Sequence, residues 1–248
     1  MIKKNEKNKQ RIAKFLASSG VASRRESEKI ILDKRVEVNG RIISSPAFDI
    51  KDGDQVNVDG KPIKRSDNLR VFLFNKPQGY LVTTKDPVGR KTIYDLFPKK
   101  LKKIITVGRL DYNSEGLIIL TNNGDFSRFL ELPSNQFLRT YKVRVHGNID
   151  KEKLSNLSNG ITLKGIKYKS IEASLEKTNK SNAWLLMKLK EGKNKEIRRI
   201  CESFDLKVNR LIRISYGPFN LGKINKTEII EVSYGFLRRK FEKTFFSH

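Results

Sequence analysis

The N-terminal part of the chain alternates between helical and strand-like spacing of its apolar positions. Apolar residues recur at helical spacing over residues 11–19, which predicts a short helix. A second helix is predicted to begin at Ser23, because Ser23 and Glu26 have the spacing of a capping box. Short alternating pieces separated by Asn-Gly and Asp-Gly turn signals follow and predict a small hairpin sheet. These pieces lie at residues 36–38, 42–43 and 55–58.

The pattern of apolar residues in the rest of the chain predicts a larger sheet with few helices. Residues 61–68 form a polar connector, after which apolar runs of strand length alternate with short amphipathic segments. Strands are predicted at residues 70–74, 104–110, 116–121, 140–145, 161–163, 171–175, 183–189, 208–214 and 228–232. Helices are predicted at residues 92–97, 125–132, 151–157 and 195–204. The pattern is typical of an α+β fold with a large, mostly antiparallel sheet.

The charge of the chain indicates its kind of partner. Lys and Arg number 52 against 27 Asp and Glu, which gives a formal net charge of +25 over 248 residues. Such an excess favours a polyanion, and nucleic acid is the commonest one. An anionic membrane surface is the alternative, but no apolar run approaches the ~20 residues that span a bilayer. With no signal-peptide pattern, we expect a monomeric, cytoplasmic protein that binds no membrane, with a disordered basic tail over residues 1–10.

Few kinds of chemistry are open to this chain. Cys201 is the single cysteine and His146 is one of two histidines, so neither a disulfide nor a zinc site can be assembled. Cys201 is predicted on the apolar side of a helix and His146 at the end of a strand. No glycine-rich loop joins a strand to a helix, so we expect no nucleotide cofactor and no metal. Any catalysis must therefore use carboxylates, Tyr, Lys or Arg.

The predicted helix pair and hairpin resemble a known RNA-binding module. Residues 11–25 and Val36-Glu37-Val38-Asn39-Gly40 are similar to the alpha-L motif, which a primary-binding protein of the small ribosomal subunit shares. In that family the helices and the turn grip folded RNA by its shape and phosphates. The resemblance implies the following RNA contacts here: Arg11, Lys14, Ser23, Arg24, Arg25 and Asn39.

A second resemblance rests on four spaced motifs between residues 69 and 232. The central motif is Gly108-Arg109-Leu110-Asp111, followed by Ser114 where Thr is usual and by a buried apolar strand that starts at Gly116. Taken alone, an Asp between two strands is more often a turn-former than a catalyst. The full set resembles the pseudouridine synthases that modify uridines of small-subunit or large-subunit ribosomal RNA. The other motifs are Asn75-Lys76-Pro77, Arg139-Thr140-Tyr141, residues 191–199 and residues 211–219.

The resemblance implies a role for each of several residues. Asp111 becomes the catalytic carboxylate at the end of a strand, and Arg198 pairs with it and holds it ionised. Tyr141 stacks on a base that has left its helix, Leu211 covers the other side of that base, and Arg109 replaces the base or holds the backbone. Further RNA contacts are implied at Lys195, Arg199 and Arg213.

Two domains and one function follow as expectations. Residues 11–62 form the RNA-binding domain and residues 69–240 the catalytic domain. The partner is ribosomal RNA, free or in an assembly intermediate, and residues 75–80, 86–90 and 92–95 look most like the branch that acts on the large subunit. The small-subunit branch and a non-catalytic ribosome assembly factor are the alternatives.

Overall fold

The computed structural model describes residues 9–64, 69–101, 104–179 and 181–247. Most of the predicted disordered tail, residues 1–8, and part of the predicted connector, residues 65–68, lie outside the described residues. The chain divides into two compact units. The first runs to Leu69 and includes Asn122–Gly124, and the second contains Arg70–Thr121 and the chain from Asp125 onward.

Within residues 9–64, the first unit forms two helices and six short strands. Its helices are α1 (Ile12–Ser18) and α2 (Arg24–Leu32). Its strands are β1 (Gln10–Arg11), β2 (Val36–Val38), β3 (Arg41–Ile43), β4 (Asp49–Ile50), β5 (Val56–Val58) and β6 (Lys61–Pro62). The order β3-β2-β5-β6 forms one sheet, and β1 pairs with β4. The two helices and the hairpin sheet expected from the sequence are therefore present.

Local chemistry explains why these elements begin and end where they do. The Glu26 amide donates to Ser23 Oγ (3.3 Å) and the Ser23 amide donates to Glu26 Oε2 (3.0 Å), so the predicted capping box starts α2. Asn39 and Gly40 both adopt positive φ, 51° and 77°, as the tight turn between β2 and β3 requires. Fully buried apolar side chains of α1, α2 and β2, among them Ile31, form the core of this unit.

The second unit is built on the large sheet. Its strands are β7 (Val71–Lys76), β8 (Ile105–Val107), β9 (Glu115–Thr121), β10 (Arg139–His146), β11 (Ile161–Leu163), β12 (Ile166–Tyr168), β13 (Ile171–Asn179), β14 (Asn182–Leu189), β15 (Lys207–Tyr216), β16 (Phe219–Asn220) and β17 (Ile229–Glu231). Its helices are α3 (Gly124–Glu131), α4 (Lys151–Asn156), α5 (Glu196–Glu202) and α6 (Tyr234–Phe241). Turns of 3₁₀ helix lie at Ile93–Leu96, Lys99–Leu101, Pro133–Asn135 and Leu157–Asn159.

The large sheet has the order β13-β14-β10-β15-β9-β7-β17, with β8 on β9 and β16 on β15. Within the described part of this sheet, β9 and β15 pair in parallel and the other neighbours are antiparallel, as expected. The parallel strands approach closely at Gly116, whose φ is +97°. A Cβ atom there would lie 2.4 Å from the carbonyl oxygen of Arg213, so only glycine fits.

Several predictions of secondary structure need correction. The strand predicted at residues 104–110 stops at Val107, so Arg109 and Leu110 lie with Asp111 in the loop that was expected to follow it. The helix predicted at residues 125–132 begins one residue earlier, at Gly124, which places Asp125 in the first turn of α3. Helix α6 was not predicted. It buries Leu237 and Phe241, and the ring of Phe241 packs against those of Phe126 and Phe129.

The predictions for Cys201 and His146 are confirmed. Cys201 is buried on the apolar side of α5, and burial raises the pKa of its thiol to about 12. His146 is the last residue of β10. Among the described residues, no helix is both long enough and apolar enough to cross a membrane.

Candidate active site

A cavity of about 770 Å³ opens in the second unit. Loop segments and strands β10 and β15 contribute to its wall, and it is large enough to hold a nucleotide. Of the residues predicted for the site, those that line it are Arg109, Asp111, Tyr141, Lys195, Leu211 and Arg213. The fold thus brings together residues that are as much as 104 positions apart, from Arg109 to Arg213.

The floor of the cavity is set by strand register. Tyr141 of β10 is the direct partner of Arg213 of β15, and Val143 is the partner of Leu211. Residues directly opposite each other in an antiparallel pair point to the same face, as do residues two apart on one strand. Tyr141, Leu211 and Arg213 therefore share one sheet face, and each is less than a tenth exposed.

The loop that carries Asp111 is held by its backbone. Four consecutive carbonyl groups, those of residues 111–114, each accept at least one hydrogen bond. The amide of Ser114 donates to the Asp111 carbonyl (3.0 Å), and the amide of Gly79 donates to the Tyr112 carbonyl (2.9 Å). At the other end of the loop, the Gly108 amide donates to Glu131 Oε1 (2.9 Å). The loop is thus fixed independently of the Asp111 carboxylate, which is exposed to the cavity.

Lys76 is the main donor to this loop. It ends β7, is fully buried, and its Nζ donates to the carbonyl oxygens of Ser114 (2.7 Å), Asp111 (3.2 Å) and Tyr112 (3.4 Å), and to that of Pro77 (3.1 Å). Burial lowers the pKa of Lys76 to about 8, against the opposing attraction of the Glu115 and Asp111 carboxylates. The ammonium group is therefore mostly charged at neutral pH.

Arg198 does not pair with Asp111, which corrects the expectation. Its Nη2 donates to the Asn113 carbonyl (3.0 Å) and its Nη1 to the Val208 carbonyl (3.3 Å). No ion pair joins Arg198 to Asp111 within the part of the chain that the structure describes. The reason is geometric: α5 directs the guanidinium at the backbone two residues beyond Asp111. Arg198 therefore supports the loop and not the carboxylate.

Two acidic residues beside the loop have perturbed environments. Glu115, at the start of β9, forms a bidentate ion pair with Arg210 (2.7 and 2.9 Å), and the hydrogen bonds from Arg210 lower the pKa of Glu115. Glu196, which lines the cavity, is buried, and burial raises its pKa to about 7 although the Lys193 amide donates to it (2.8 Å). The wall of the cavity thus holds a carboxyl group that is partly protonated near neutral pH.

Of the predicted RNA contacts in the second unit, Lys195 and Arg213 line the cavity and Arg199 does not. Lys195 is exposed where α5 begins, whereas Arg213 is only 3% exposed. Arg199 is exposed on α5, outside the cavity. Arg109 is exposed at the cavity.

The predicted contacts of the first unit fall into two groups. The side chain of Ser23 caps α2, and that of Asn39 accepts from the Gln55 amide and donates to Asp54 (both 2.9 Å), so both maintain local structure. The other four are basic side chains on or beside the helices. Arg11 is 3.3 Å from Asp49, Arg24 is 3.8 Å from Glu28, Arg25 is exposed and Lys14 is half-buried.

Sequence reasoning noted Lys76 only as a motif landmark and assigned no role to Glu115, Glu196 or Arg139. The signal for Lys76 was a cation at the end of a strongly apolar strand, where burial would demand several hydrogen-bond partners. Glu196 lies in a run of basic residues, so its place in the sequence was a weaker indication that its carboxyl group is buried. Arg139 was named only as part of the motif that contains Tyr141.

The site and the sheet agree with the comparisons to known families. A family model described as RNA pseudouridylate synthase matches residues 70–203, and a model described as S4 domain matches residues 10–56. The chain belongs to the RNA pseudouridylate synthase family. It is an RNA pseudouridine synthase, an isomerase, and carries an N-terminal S4 domain. Both resemblances found in the sequence are thereby confirmed.

Individual relatives cover nearly the whole chain. An uncharacterized RNA pseudouridine synthase from Rickettsia felis is 44% identical over 93% of this chain and all of its own length. A protein from Salmonella typhi named ribosomal large subunit pseudouridine synthase B is 38% identical over 86% of this chain and 76% of its own. A crystal structure of a pseudouridylate synthase matches with a TM-score of 0.65 and 26% identity, over 93% of this chain and 98% of the other.

Proposed function

We propose that this enzyme converts one uridine of large-subunit ribosomal RNA to pseudouridine, with Asp111 as its catalytic carboxylate. The observation that carries the proposal is the placement of Asp111. Its carboxylate is exposed at a cavity floored by Tyr141 and Leu211, on a loop fixed through four backbone carbonyls. A rigid loop can present a carboxylate to a bound nucleotide at little cost in reorganisation.

The cavity favours a base that has left its stack. Tyr141 and Leu211 lie within a sheet floor, where a base paired in an RNA helix cannot reach them. An extruded uridine can stack on the tyrosine ring and place its glycosidic bond near Asp111. Breaking that bond and rejoining the base through carbon needs a nucleophile or a base, and Asp111 can serve as either.

The choice of large-subunit RNA rests on relatives and on sequence. Proteins from Yersinia pestis and Salmonella typhi that are named ribosomal large subunit pseudouridine synthase B share 37% and 38% identity with this chain. Residues 75–80, 86–90 and 92–95 agree with the same branch. We place residues 11–62 as the RNA-binding domain, residues 69–240 as the catalytic domain, and the action of the enzyme in the bacterial cytoplasm.

Mapping pseudouridines in ribosomal RNA from cells with and without the gene tests the proposal. We expect one large-subunit position to lose its modification in the deletion strain and to regain it with the wild-type gene. Loss of a small-subunit position would instead assign the enzyme to the other branch. An unchanged map in both subunits would contradict ribosomal RNA as the substrate.

The affinity for ribosomal RNA is expected to fall steeply as salt rises, because phosphate contacts release counterions. Replacing the exposed Arg25 by Gln should lower the slope of log affinity against log salt by about one. The double change Arg35→Gln, Asp59→Asn is the control. It removes one cation together with the carboxylate it binds at 2.6 Å, so the net charge is unchanged. An equal slope for wild type and Arg25→Gln would show that Arg25 does not contact an RNA phosphate.

A further inference from the structure

Two guanidinium groups lie over one tyrosine ring in the wall of the cavity. The Cζ atom of Arg139 is 4.6 Å from the ring centroid of Tyr216, and that of Arg213 is 5.2 Å from the same centroid. Arg139 of β10 is the direct partner of Tyr216 of β15, so the three side chains share one sheet face. All three line the cavity that contains Asp111.

Among the described residues, the acceptors that the two guanidinium groups bind are neutral oxygens. Arg139 donates to the Tyr216 hydroxyl (2.7 Å) and to the Lys190 carbonyl (3.2 Å), and Arg213 Nε donates to the Leu117 carbonyl (2.8 Å). Arg213 is 3% exposed, yet its Nη2 finds no hydrogen-bond partner in the part of the chain that the structure describes. Among the described residues, no carboxylate lies within ion-pairing distance of either guanidinium.

The carboxylate of Glu131 lines the same cavity but accepts its hydrogen bonds from other groups. Glu131 is close enough to contribute to the raised pKa of the Tyr216 hydroxyl, whose main cause is burial. Its Oε1 accepts from the Gly108 amide (2.9 Å) and from the Ser127 hydroxyl (2.7 Å), which directs it at the loop that precedes Asp111. Glu131 therefore moderates the positive charge of this wall without forming an ion pair with either arginine.

Two like charges beside one ring, one of them buried and incompletely hydrogen-bonded, are costly unless a ligand compensates them. The ligand that would do so is an anion. The phosphates are the anionic groups of an RNA substrate, because its bases and riboses are neutral at pH 7. A guanidinium fork held in place by other bonds is well suited to a phosphate, since little side-chain entropy is lost on binding.

We propose that Arg139 and Arg213 form a phosphate subsite within the catalytic cavity, which receives the backbone phosphate next to the reacting uridine. Arg139 is half-buried, so its remaining N–H groups donate to the phosphate directly. Arg213 adds a second positive charge from the floor. The subsite rests on the proposed function, because it holds the nucleotide on which Asp111 acts. Surface cations supply general affinity for RNA. The subsite would in addition fix which nucleotide lies next to Asp111.

The experiment titrates full-length protein with uridine 5′-monophosphate, uridine 3′-monophosphate and uridine. We expect one of the monophosphates to bind about tenfold more tightly than uridine, since a hydrogen bond to a charged group contributes about that factor. In Arg139→Gln the preference should shrink to about twofold or less, with uridine affinity unchanged. A merely structural effect would weaken all three ligands alike.

Arg144→Gln is the matched control, because Arg144 is an exposed arginine of the same strand on the opposite face of the sheet. It should keep the full preference. Arg213→Lys retains the positive charge in the floor and should keep part of the preference for the monophosphate over uridine. Melting temperatures show whether the variants at Arg139 and Arg213 are folded.

Equal binding of all three ligands by the wild type, including no detectable binding, overturns the subsite. So does a preference that survives in Arg139→Gln. Either result would leave the rRNA map and the dependence on Asp111 unaffected, so failure of the subsite is distinguishable from failure of the proposed function.

Discussion

Replacing Asp111 by Asn is expected to abolish pseudouridine formation while leaving the fold and the affinity for RNA nearly unchanged. The carboxylate is exposed, and the loop around it is held by the carbonyl groups of residues 111–114. Asn has the same shape but can neither act as a nucleophile nor accept a proton as a carboxylate does. We expect the rate to fall by about 10⁴-fold, the upper end for loss of an acid–base group.

The measurement is the rate of pseudouridine formation in ribosomal RNA by the purified variant, with RNA affinity and melting temperature recorded in parallel. Asp205→Asn is a suitable control, because Asp205 is an exposed Asp of the same unit with a positive φ of 57° that Asn tolerates. It should retain wild-type rate. Appreciable activity in Asp111→Asn would show that another group performs the chemistry.

Replacing Lys76 by Met is expected to damage both activity and stability. Met fills a similar volume but leaves buried carbonyl groups of the loop, including those of Asp111 and Ser114, without their donor. An unsatisfied buried acceptor costs about 1–3 kcal/mol, so we expect a decrease of that size in the free energy of unfolding. Activity should fall by about 100-fold, because a small displacement of Asp111 spoils its alignment with the substrate.

The pH dependence of the free energy of unfolding tests whether the buried ammonium group of Lys76 accounts for the change in stability. The lysine loses its proton near pH 8 in the folded protein and near 10.5 when unfolded. Between these values the unfolded chain binds more protons, so this group makes the folded state more stable as pH rises. The difference in free energy of unfolding between wild type and Lys76→Met should therefore increase from pH 8 to about 10.5.

Lys207→Met provides the matched control, since Lys207 is an exposed lysine of β15. It should change neither the melting temperature nor the rate appreciably. A difference between wild type and Lys76→Met that stays constant or shrinks over the alkaline range would contradict the burial of a charged Lys76. Wild-type activity in Lys76→Met would show that the loop does not depend on this lysine.

Much of the fold was predictable because its signals are local. The capping box of Ser23 and Glu26 starts α2, and the Asn39-Gly40 turn joins β2 to β3, as the sequence indicated. The strand beginning near Gly116 was recognised because β9 is buried along its whole length and carries a continuous apolar run at residues 117–120. Helix α6 was missed because its residue Phe241 packs against rings more than a hundred positions away, such as that of Phe126.

The candidate site was predicted in part. Motif spacing identified Asp111, Tyr141 and Leu211, which the structure brings to one cavity. It also suggested that Arg198 pairs with Asp111, whereas the guanidinium binds the Asn113 and Val208 carbonyls. A motif specifies which residues are present, but the direction of a long side chain depends on where its helix is packed.

The sequence by itself determined the family and the basic character of the chain, and it singled out Asp111 as the candidate carboxylate, because these depend on residue identity and spacing. Tertiary structure alone decided how that carboxylate is presented. The burial of Lys76 beneath the loop, the close approach of β9 and β15 at Gly116 and the placement of Arg139 and Arg213 against Tyr216 all arise from strand pairing. These distances depend on how strands from distant parts of the chain pair, and the local pattern of residues does not specify that pairing.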